Sequence, residues 1–345
     1  MHVLTQLKRS HSWYGKRLIL GFVACLIFFL LFVFLRWNRQ FSEQTGLTPV
    51  SLTKILLDGA TILRSEENRT NILILGIGGE GHTGSDLTDT MIVVSVSPKE
   101  PMLALLSLPR DVWSDAMKDK INSAYHYGEE KKEGGGMTLA KAVAYDVTGL
   151  RIHYGFLIDF SGFKKIIDLV DGVDIVVPEP FTDTEFPVPG KEDDLCDGDP
   201  AFACRYTPLH FDGGPQHLDG TRALEYVRSR HAEGEEGTDF ARGRRQQDIL
   251  IALKNKLFDP KIWLSNGRVR DLYRAFDDAI QTDMNVGELA AFGKLLLRMN
   301  EHAIRRVSIE ELLLSPPLWM YGRYVLVPET SFEDIHEFIK QELAR

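Results

Sequence analysis

A chain of 345 residues with 40 Lys and Arg against 49 Asp and Glu carries a formal net charge of −9, but the charge is unevenly spread. Residues 1–40 hold six basic residues and no acidic one, so the remainder carries a balance of −15. That remainder argues against a nucleic-acid partner, whose binders present basic surfaces, and would be repelled by anionic membrane surfaces except at local basic patches.

The first predicted element is Leu18–Leu35, an uncharged apolar run of eighteen residues. It falls inside the ~17–25 residues that span a bilayer core, and it lacks the polar stripe of a buried core helix. Lys8, Arg9, Lys16 and Arg17 precede it while Arg36 and Arg39 follow, which favours residues 1–17 as a cytoplasmic tail. No small-residue cleavage site follows, so the run reads as an uncleaved signal anchor. The expectation is a single-pass protein of the cell membrane with its main domain extracytoplasmic. Residues 36–69 then form a membrane-proximal connector, with a helix over Ser51–Leu63.

Asn71-Ile-Leu-Ile-Leu-Gly-Ile, a short apolar run ended by glycines, predicts a buried strand. Thr90–Ser97 and Pro101–Leu108 predict two more, joined by a hairpin turn at Pro98-Lys-Glu-Pro101. A helix over Met137–Val147 stops at Gly149. A strand over His153–Ile158, a helix over Ser161–Val170 and a strand over Val173–Val177 follow. Strand, helix and strand in that order predict an α/β fold, a mixed central sheet flanked by helices. Residues 180–217, rich in Pro, Gly and Asp, read as a long surface excursion. Helices are expected at Leu218–Val227 and Phe240–Leu257. Beyond residue 258 come helical stretches near Val269–Ile280, Val286–Met299 and Phe332–Leu343 and a strand at Tyr324–Val327. This extension packs on the domain or completes it.

Of the three cysteines, Cys25 lies in the apolar run and Cys196 and Cys204 in the excursion. Outside the cytoplasm a Cys196–Cys204 disulfide is the first choice, and two cysteines without nearby Cys or His make a weak zinc site.

Between Glu192 and Leu253 stand seven arginines and no lysine. Planar bidentate forks are the usual partners of phosphate oxygens, so the bias suggests a phosphate or pyrophosphate site. Ion pairs with Glu225, Glu233, Glu235, Glu236 and Asp239 are the other reading. Arg242, Arg245 and Gln246 at i, i+3 and i+4 share a helix face, in the first turns where free N–H groups favour an anion. Arg228 and Arg230 share a side only if the chain there is extended, so the preceding helix should end near Val227. Ser107-Leu-Pro109-Arg110-Asp111 brings another arginine to a strand end.

Gly76-Ile-Gly78-Gly79-Glu-Gly81 misses the dinucleotide spacing, and the chain has no phosphate-loop motif, so these glycines read as a turn near a site. Asp86 and Asp89 follow. Asp89, immediately before the second strand, could offer Mg²⁺ a carboxylate beside substrate phosphate oxygens, or simply close a turn.

These residues resemble the LytR-CpsA-Psr (LCP) family of envelope glycopolymer transferases. The similar features are Asn71-Ile-Leu-Ile-Leu-Gly76, Asp89-Thr-Met, Ser107-Leu-Pro-Arg110-Asp111, Lys120-Ile-Asn122-Ser-Ala-Tyr125 and Phe160-Ser-Gly-Phe163. Gly172-Val-Asp174, Gln216-His-Leu-Asp219-Gly220 and Tyr226-Val-Arg228-Ser-Arg230 with Asp239-Phe-Ala-Arg242 and Arg245-Gln246 complete the series. Order and rough spacing agree over about residues 70–258. The resemblance implies transfer of a glycopolymer from a polyprenyl-pyrophosphate carrier to peptidoglycan through a phosphodiester, outside the cytoplasmic membrane. It implies that Arg110, Arg228, Arg230, Arg242 and Gln246, with Arg245 a further candidate, hold the pyrophosphate. It gives Asp89 and Arg110 catalytic roles and makes Asp89 the Mg²⁺ ligand. An apolar tunnel for the prenyl chain is implied too.

Two positions depart from the family pattern. Gly78 stands where many relatives place an aspartate, and Leu87 where an arginine is frequent. The first removes a carboxylate, for which Asp86 is a substitute. Two other readings stay open: a non-enzymatic scaffold binding polyprenyl phosphates or wall polymers, and a pyrophosphatase releasing prenyl phosphate to water.

Overall fold

The computed structural model describes residues 62–82, 84–263 and 268–345. The expected Leu18–Leu35 span, and the Ser51–Leu63 helix up to residue 61, lie outside the described residues. Among the described residues no helix is long and apolar enough to cross a membrane. The chain divides into two compact units, and Leu63–Met284 with Gly293–Arg345 forms the larger one. Of the other, Asn285–Phe292 opens the helix Val286–Leu297 with a reciprocal cap: Glu288 N donates to Asn285 Oδ1 (3.0 Å) and Asn285 N to Glu288 Oε2 (2.9 Å).

In the larger unit the apolar runs become β1 (Thr70–Ile77), β2 (Thr88–Val96) and β3 (Leu103–Ser107). β2 is antiparallel to both β1 and β3, the latter through the expected hairpin. A short ribbon, β4 (Trp113–Ser114) and β5 (Asp119–Lys120), follows. The helix Ala124–Lys131, which the sequence pattern did not announce, then leads to the helix Gly136–Thr148. That helix stops where Gly149 takes a left-handed φ of 68°, the usual glycine C-terminus. β6 (Tyr154–Asp159) lies parallel to β1, and Asp159 caps the helix Phe160–Leu169.

The excursion is not loop-like throughout. β7 (Val173–Val177) is followed by β8 (Phe181–Pro187), β9 (Tyr206–Phe211) and β10 (Gly214–Leu218), with β8 antiparallel to β9 and β10 to β7. Phe181, Phe186, Leu209 and Phe211 alternate inward and are buried, which is why this Pro- and Gly-rich stretch holds together. Leu218 belongs to β10, so the next helix starts at Gly220 rather than at Leu218.

The tail supplies strands as well as helices. β11 (Ile280–Thr282) pairs with β6, and β12 (Ile304–Val307) runs parallel to β3. The six-stranded order is therefore β11-β6-β1-β2-β3-β12, with both edges drawn from beyond residue 258. The expected Tyr324–Val327 strand is displaced: β13 (Leu313–Leu314) pairs with β14 (Val327–Pro328), and Leu326 only bridges to Val112. One sheet face, through Leu73, Leu75, Met91 and Val93, packs with the helices Gly136–Thr148 and Phe332–Ala344. Beyond the other face, β7 to β10 and the helices Phe160–Leu169, Gly220–Arg228 and Asp239–Leu257 share a second core.

Candidate functional site

The site forms where β1 and β3 end and β2 begins. The β1–β2 register slips between Gly76 and Ile77: Gly76 pairs with Thr90, Ile77 pairs with Thr88, and Asp89 has no partner. Asp89 is thus the extra residue of a bulge inside β2, not the residue before it, and a bulge re-aims a side chain at a sheet end. Its carboxylate meets Arg110, which follows the last residues of β3, in a direct ion pair. Asp111 stands 3.5 Å from Arg110 Nε and also binds Lys120. Arg110 Nε is nevertheless a buried donor without a well-aligned acceptor. Burial works against the Arg110 charge, but the Asp89 and Asp111 carboxylates outweigh it and hold the guanidinium above its ordinary value.

The helix Asp239–Leu257 brings its N-terminus to the same place. Thr238 caps it by accepting from Ala241 N at 3.1 Å. Gln247, buried, donates to Ser107 Oγ at 2.8 Å and Leu105 O at 3.4 Å, tying the helix to the end of β3. Asp89, Arg110, Asp239, Arg242 and Gln246 then line one cleft of about 170 Å³. Arg242 pairs with Asp239 at 3.0 Å. Burial pulls Arg242 down to about 10, against the attraction of Asp239, and the nearby Arg110 and Arg230 cations push the same way as burial. It stays cationic at neutral pH, in a site where like charges crowd and a dianionic ligand would relieve them.

Arg228 and Arg230 come from a third segment. The helix Gly220–Arg228 is capped by Asp219 and ends at Ser229, whose backbone leaves the helical region (ψ 134°). Asp183 of β8, fully buried, catches the chain: it accepts from Ser229 Oγ (2.9 Å), Arg230 N (2.9 Å) and His231 N (3.2 Å). Burial opposes that carboxylate, but these donors dominate and hold its pKa below the ordinary value. Arg228 lies over the Phe160 ring at 4.6 Å and the Phe186 ring at 5.5 Å. Burial lowers its pKa, while the fields of Asp89 and Glu192 oppose that change. Among the described residues no carboxylate forms an ion pair with Arg228 or Arg230.

The remaining arginines are committed within the protein. Arg222 binds Glu225 (2.9 Å) and Arg244 binds Glu236 (3.4 Å). Arg245 does not share the cleft face with Arg242 and Gln246. It is buried and donates to Tyr226 O, Ser229 O, Glu236 O and Glu236 Oε2, so its fork holds the Arg228–Arg230 segment rather than an incoming phosphate. The ion-pair reading of the arginine stretch therefore holds for Arg222, Arg242, Arg244 and Arg245, and leaves Arg228 and Arg230 as the members a phosphate could still claim. Asp183 was the positioning residue the sequence hid, because Asp-Thr-Glu inside a polar stretch looks like turn chemistry.

Asp86 is bound to His126 Nδ1 at 2.6 Å. Gly78 leaves room that His82 occupies: a Cβ there would stand 3.0 Å from the His82 Cβ. Cys196 and Cys204 form a disulfide with Cα atoms 5.5 Å apart. With Asp194 they are the one metal-like cluster among the described residues, and the disulfide uses both sulfurs. A second, apolar cavity of about 70 Å³ lies under the sheet face, lined by Ile74, Ile92, Phe163, Leu224, Val227 and Leu250. Gln246 lines both spaces, so the arginine-bearing cleft and the small apolar cavity meet at one residue.

These features define an α/β protein with a cationic, carboxylate-bearing cleft joined to an apolar cavity. The LytR_cpsA_psr family matches residues 42–341, and the chain belongs to that family. It is 28% identical over 231 residues to polyisoprenyl-teichoic acid–peptidoglycan teichoic acid transferase TagU of Oceanobacillus iheyensis, covering 66% of this chain and 62% of that one. It is 27% identical over 284 residues to the TagV transferase of Bacillus subtilis, covering 79% and 64%. The chain thus spans slightly less than two thirds of these relatives' lengths. The crystal structure of B. subtilis TagV superposes with a TM-score of 0.57 at 25% identity, covering 81% of this chain and 99% of that one.

Proposed function

We propose that this protein transfers a glycopolymer from a polyprenyl-pyrophosphate carrier to peptidoglycan, forming a phosphodiester at the outer face of the cytoplasmic membrane. The observation that carries the reading is the junction at Gln246. Arg110 and Arg242 line the cleft beside Asp89, Arg228 and Arg230 from a third segment stand outside its lining but within electrostatic reach of Asp89 and Arg242, and an apolar cavity shares Gln246 with it. A prenyl pyrophosphate has that combination of a dense anion and an apolar tail. The relatives' names, which specify a polyisoprenyl-linked polymer and peptidoglycan, support the same substrate class. The eighteen-residue run Leu18–Leu35 and the Cys196–Cys204 disulfide support an extracytoplasmic, membrane-anchored placement.

In this mechanism the arginine forks bind the pyrophosphate and stabilise charge as it moves to the leaving group. An acceptor sugar hydroxyl attacks the phosphorus next to the polymer, the bond to polyprenyl phosphate breaks, and the hydroxyl proton leaves to Asp89 or to water. Asp89 is partly exposed and lines the cleft, and with Oδ1 on Arg110 it would offer Mg²⁺ its other carboxylate oxygen. Bound Mg²⁺ would supply further neutralisation of the pyrophosphate. Asp86, engaged by His126, is available as a second ligand only if that pair opens.

Gly78 favours a second reading, a scaffold that binds prenyl phosphates without turning them over, because it withholds one carboxylate. Mass spectrometry of wall fragments after depletion of this protein separates the two. Loss of a phosphodiester-linked polymer is the expected result, and a wall with unchanged linkage would contradict transfer.

A further inference from the structure

The short helix Leu318–Tyr321 and the residues around it carry an apolar surface that the arginine site does not use. Trp319 is 82% exposed, Leu318 62%, Met320 54% and Tyr324 47%. Water-facing large side chains grouped this closely mark a binding surface more often than chance exposure. The mount beneath them is firm. Tyr321 packs edge-to-face on Trp113 at 4.9 Å, Leu326 N donates to Asp111 O at 2.9 Å, and Trp113 N donates to Leu326 O at 2.8 Å. Arg323 binds Asp119 at 2.8 Å.

That mount is the loop carrying Arg110. Lys120 Nζ sits 5.9 Å from the Tyr324 ring centre and binds Asp111, which in turn stands against Arg110. Tyr324, at one end of the aromatic surface, is thus two side chains away from Arg110 of the cleft. Burial raises the Tyr324 phenol, and the Asp239 and Asp111 carboxylates add to it, in keeping with the same proximity.

We propose that Trp319, Tyr324 and their neighbours form the docking platform for the acceptor, an amino-sugar glycan strand stacked by its sugar faces beside the arginine cleft. The proposal rests on the transferase reading above and names the site of its second substrate. Three features favour a glycan over a bilayer. Rigid exposed aromatic rings suit the C–H faces of pyranose sugars. The nearby cations Arg323 and Lys120 are engaged by Asp119 and Asp111, leaving them poorly placed for lipid phosphates. Tyr324, bonded through Lys120 to the loop of Arg110 and in the field of Asp239, stands where an acceptor has to approach the donor phosphates.

The test uses the full chain reconstituted in bilayer discs, as wild type, Trp319→Phe, Trp319→Ala and Tyr324→Ala. Trp319→Ala should raise the apparent KM for an uncrosslinked peptidoglycan glycan fragment on the order of tenfold, with the KM for the prenyl-pyrophosphate donor unmoved. Trp319→Phe should retain most acceptor affinity. The fluorescence difference between wild type and Trp319→Phe should respond to the glycan fragment and not to brominated lipids in the disc. Bromolipid quenching would assign the surface to the membrane and overturn the proposal, as would an acceptor KM unaffected by Trp319→Ala. If no transfer occurs at all, the transferase reading falls, and the fluorescence response to glycan alone still decides whether the platform exists.

Discussion

At the scale of single residues, the arginines divide into those proposed to meet the donor phosphates and those bonded within the protein. Arg228→Ala, Arg230→Ala and Arg242→Ala should each weaken prenyl-pyrophosphate binding by roughly 1.5–3 kcal/mol, with smaller changes in melting temperature. Lys at these positions should recover only part of the loss, since the charge returns without the fork. Arg245→Ala should behave in the opposite way, lowering stability first because four acceptors lose a buried donor. Asp183→Asn should loosen the Arg228–Arg230 segment. The Asp183 pKa is depressed on folding, so its contribution is complete above the ordinary value of about 3.9 and is lost as pH falls through the lower folded value. Melting curves of wild type and Asp183→Asn should therefore differ near neutrality and converge in acid. The gathering of Asp89, Arg110, Arg242 and Gln246 at one cleft was legible because residue type and order carry it. Arg245 was not, since i+3 spacing specifies a helix face without saying what that face meets.

At the scale of elements, the helix Asp239–Leu257 must stay docked on β3 for Arg242 to stand near Arg110. Gln247→Ala removes two buried hydrogen bonds, so a stability loss of about 1–3 kcal/mol is expected, with weaker donor binding as Arg242 shifts. Urea melts and donor titration of that variant check both effects. Replacing Cys196 and Cys204 together by Ser should cost no more than roughly 2–3 kcal/mol, because the closed loop is short, and should leave transfer intact. Short apolar runs bounded by Gly, Pro or polar residues made β1, β2, β3, β6 and β7 readable. β8 and β9 were hidden because their inward residues are diluted by Pro, Gly and Asp, and β11 and β12 because edge strands of three and four residues carry too little periodicity.

For the whole molecule, the antiparallel pairing of β1, β2 and β3 puts the ends of β1 and β3 and the start of β2 at one end of the sheet, where Arg242 from later in the chain meets the Arg110 cleft. That convergence is invisible in sequence, because strand neighbours such as β12 and β3 are just over two hundred residues apart. Asp89→Asn should keep lipid binding through the arginines while turnover drops and loses its response to Mg²⁺. Asp86→Asn, by contrast, matters only if its pair with His126 opens. The most direct measurement is a reaction of the purified full chain with a short prenyl-pyrophosphate glycan and a peptidoglycan fragment, products read by mass spectrometry. The account predicts a phosphodiester-linked glycan–peptidoglycan adduct with release of polyprenyl monophosphate. Tight donor binding with no adduct, across metals and acceptors, or release of the glycan phosphate to water alone, would contradict it.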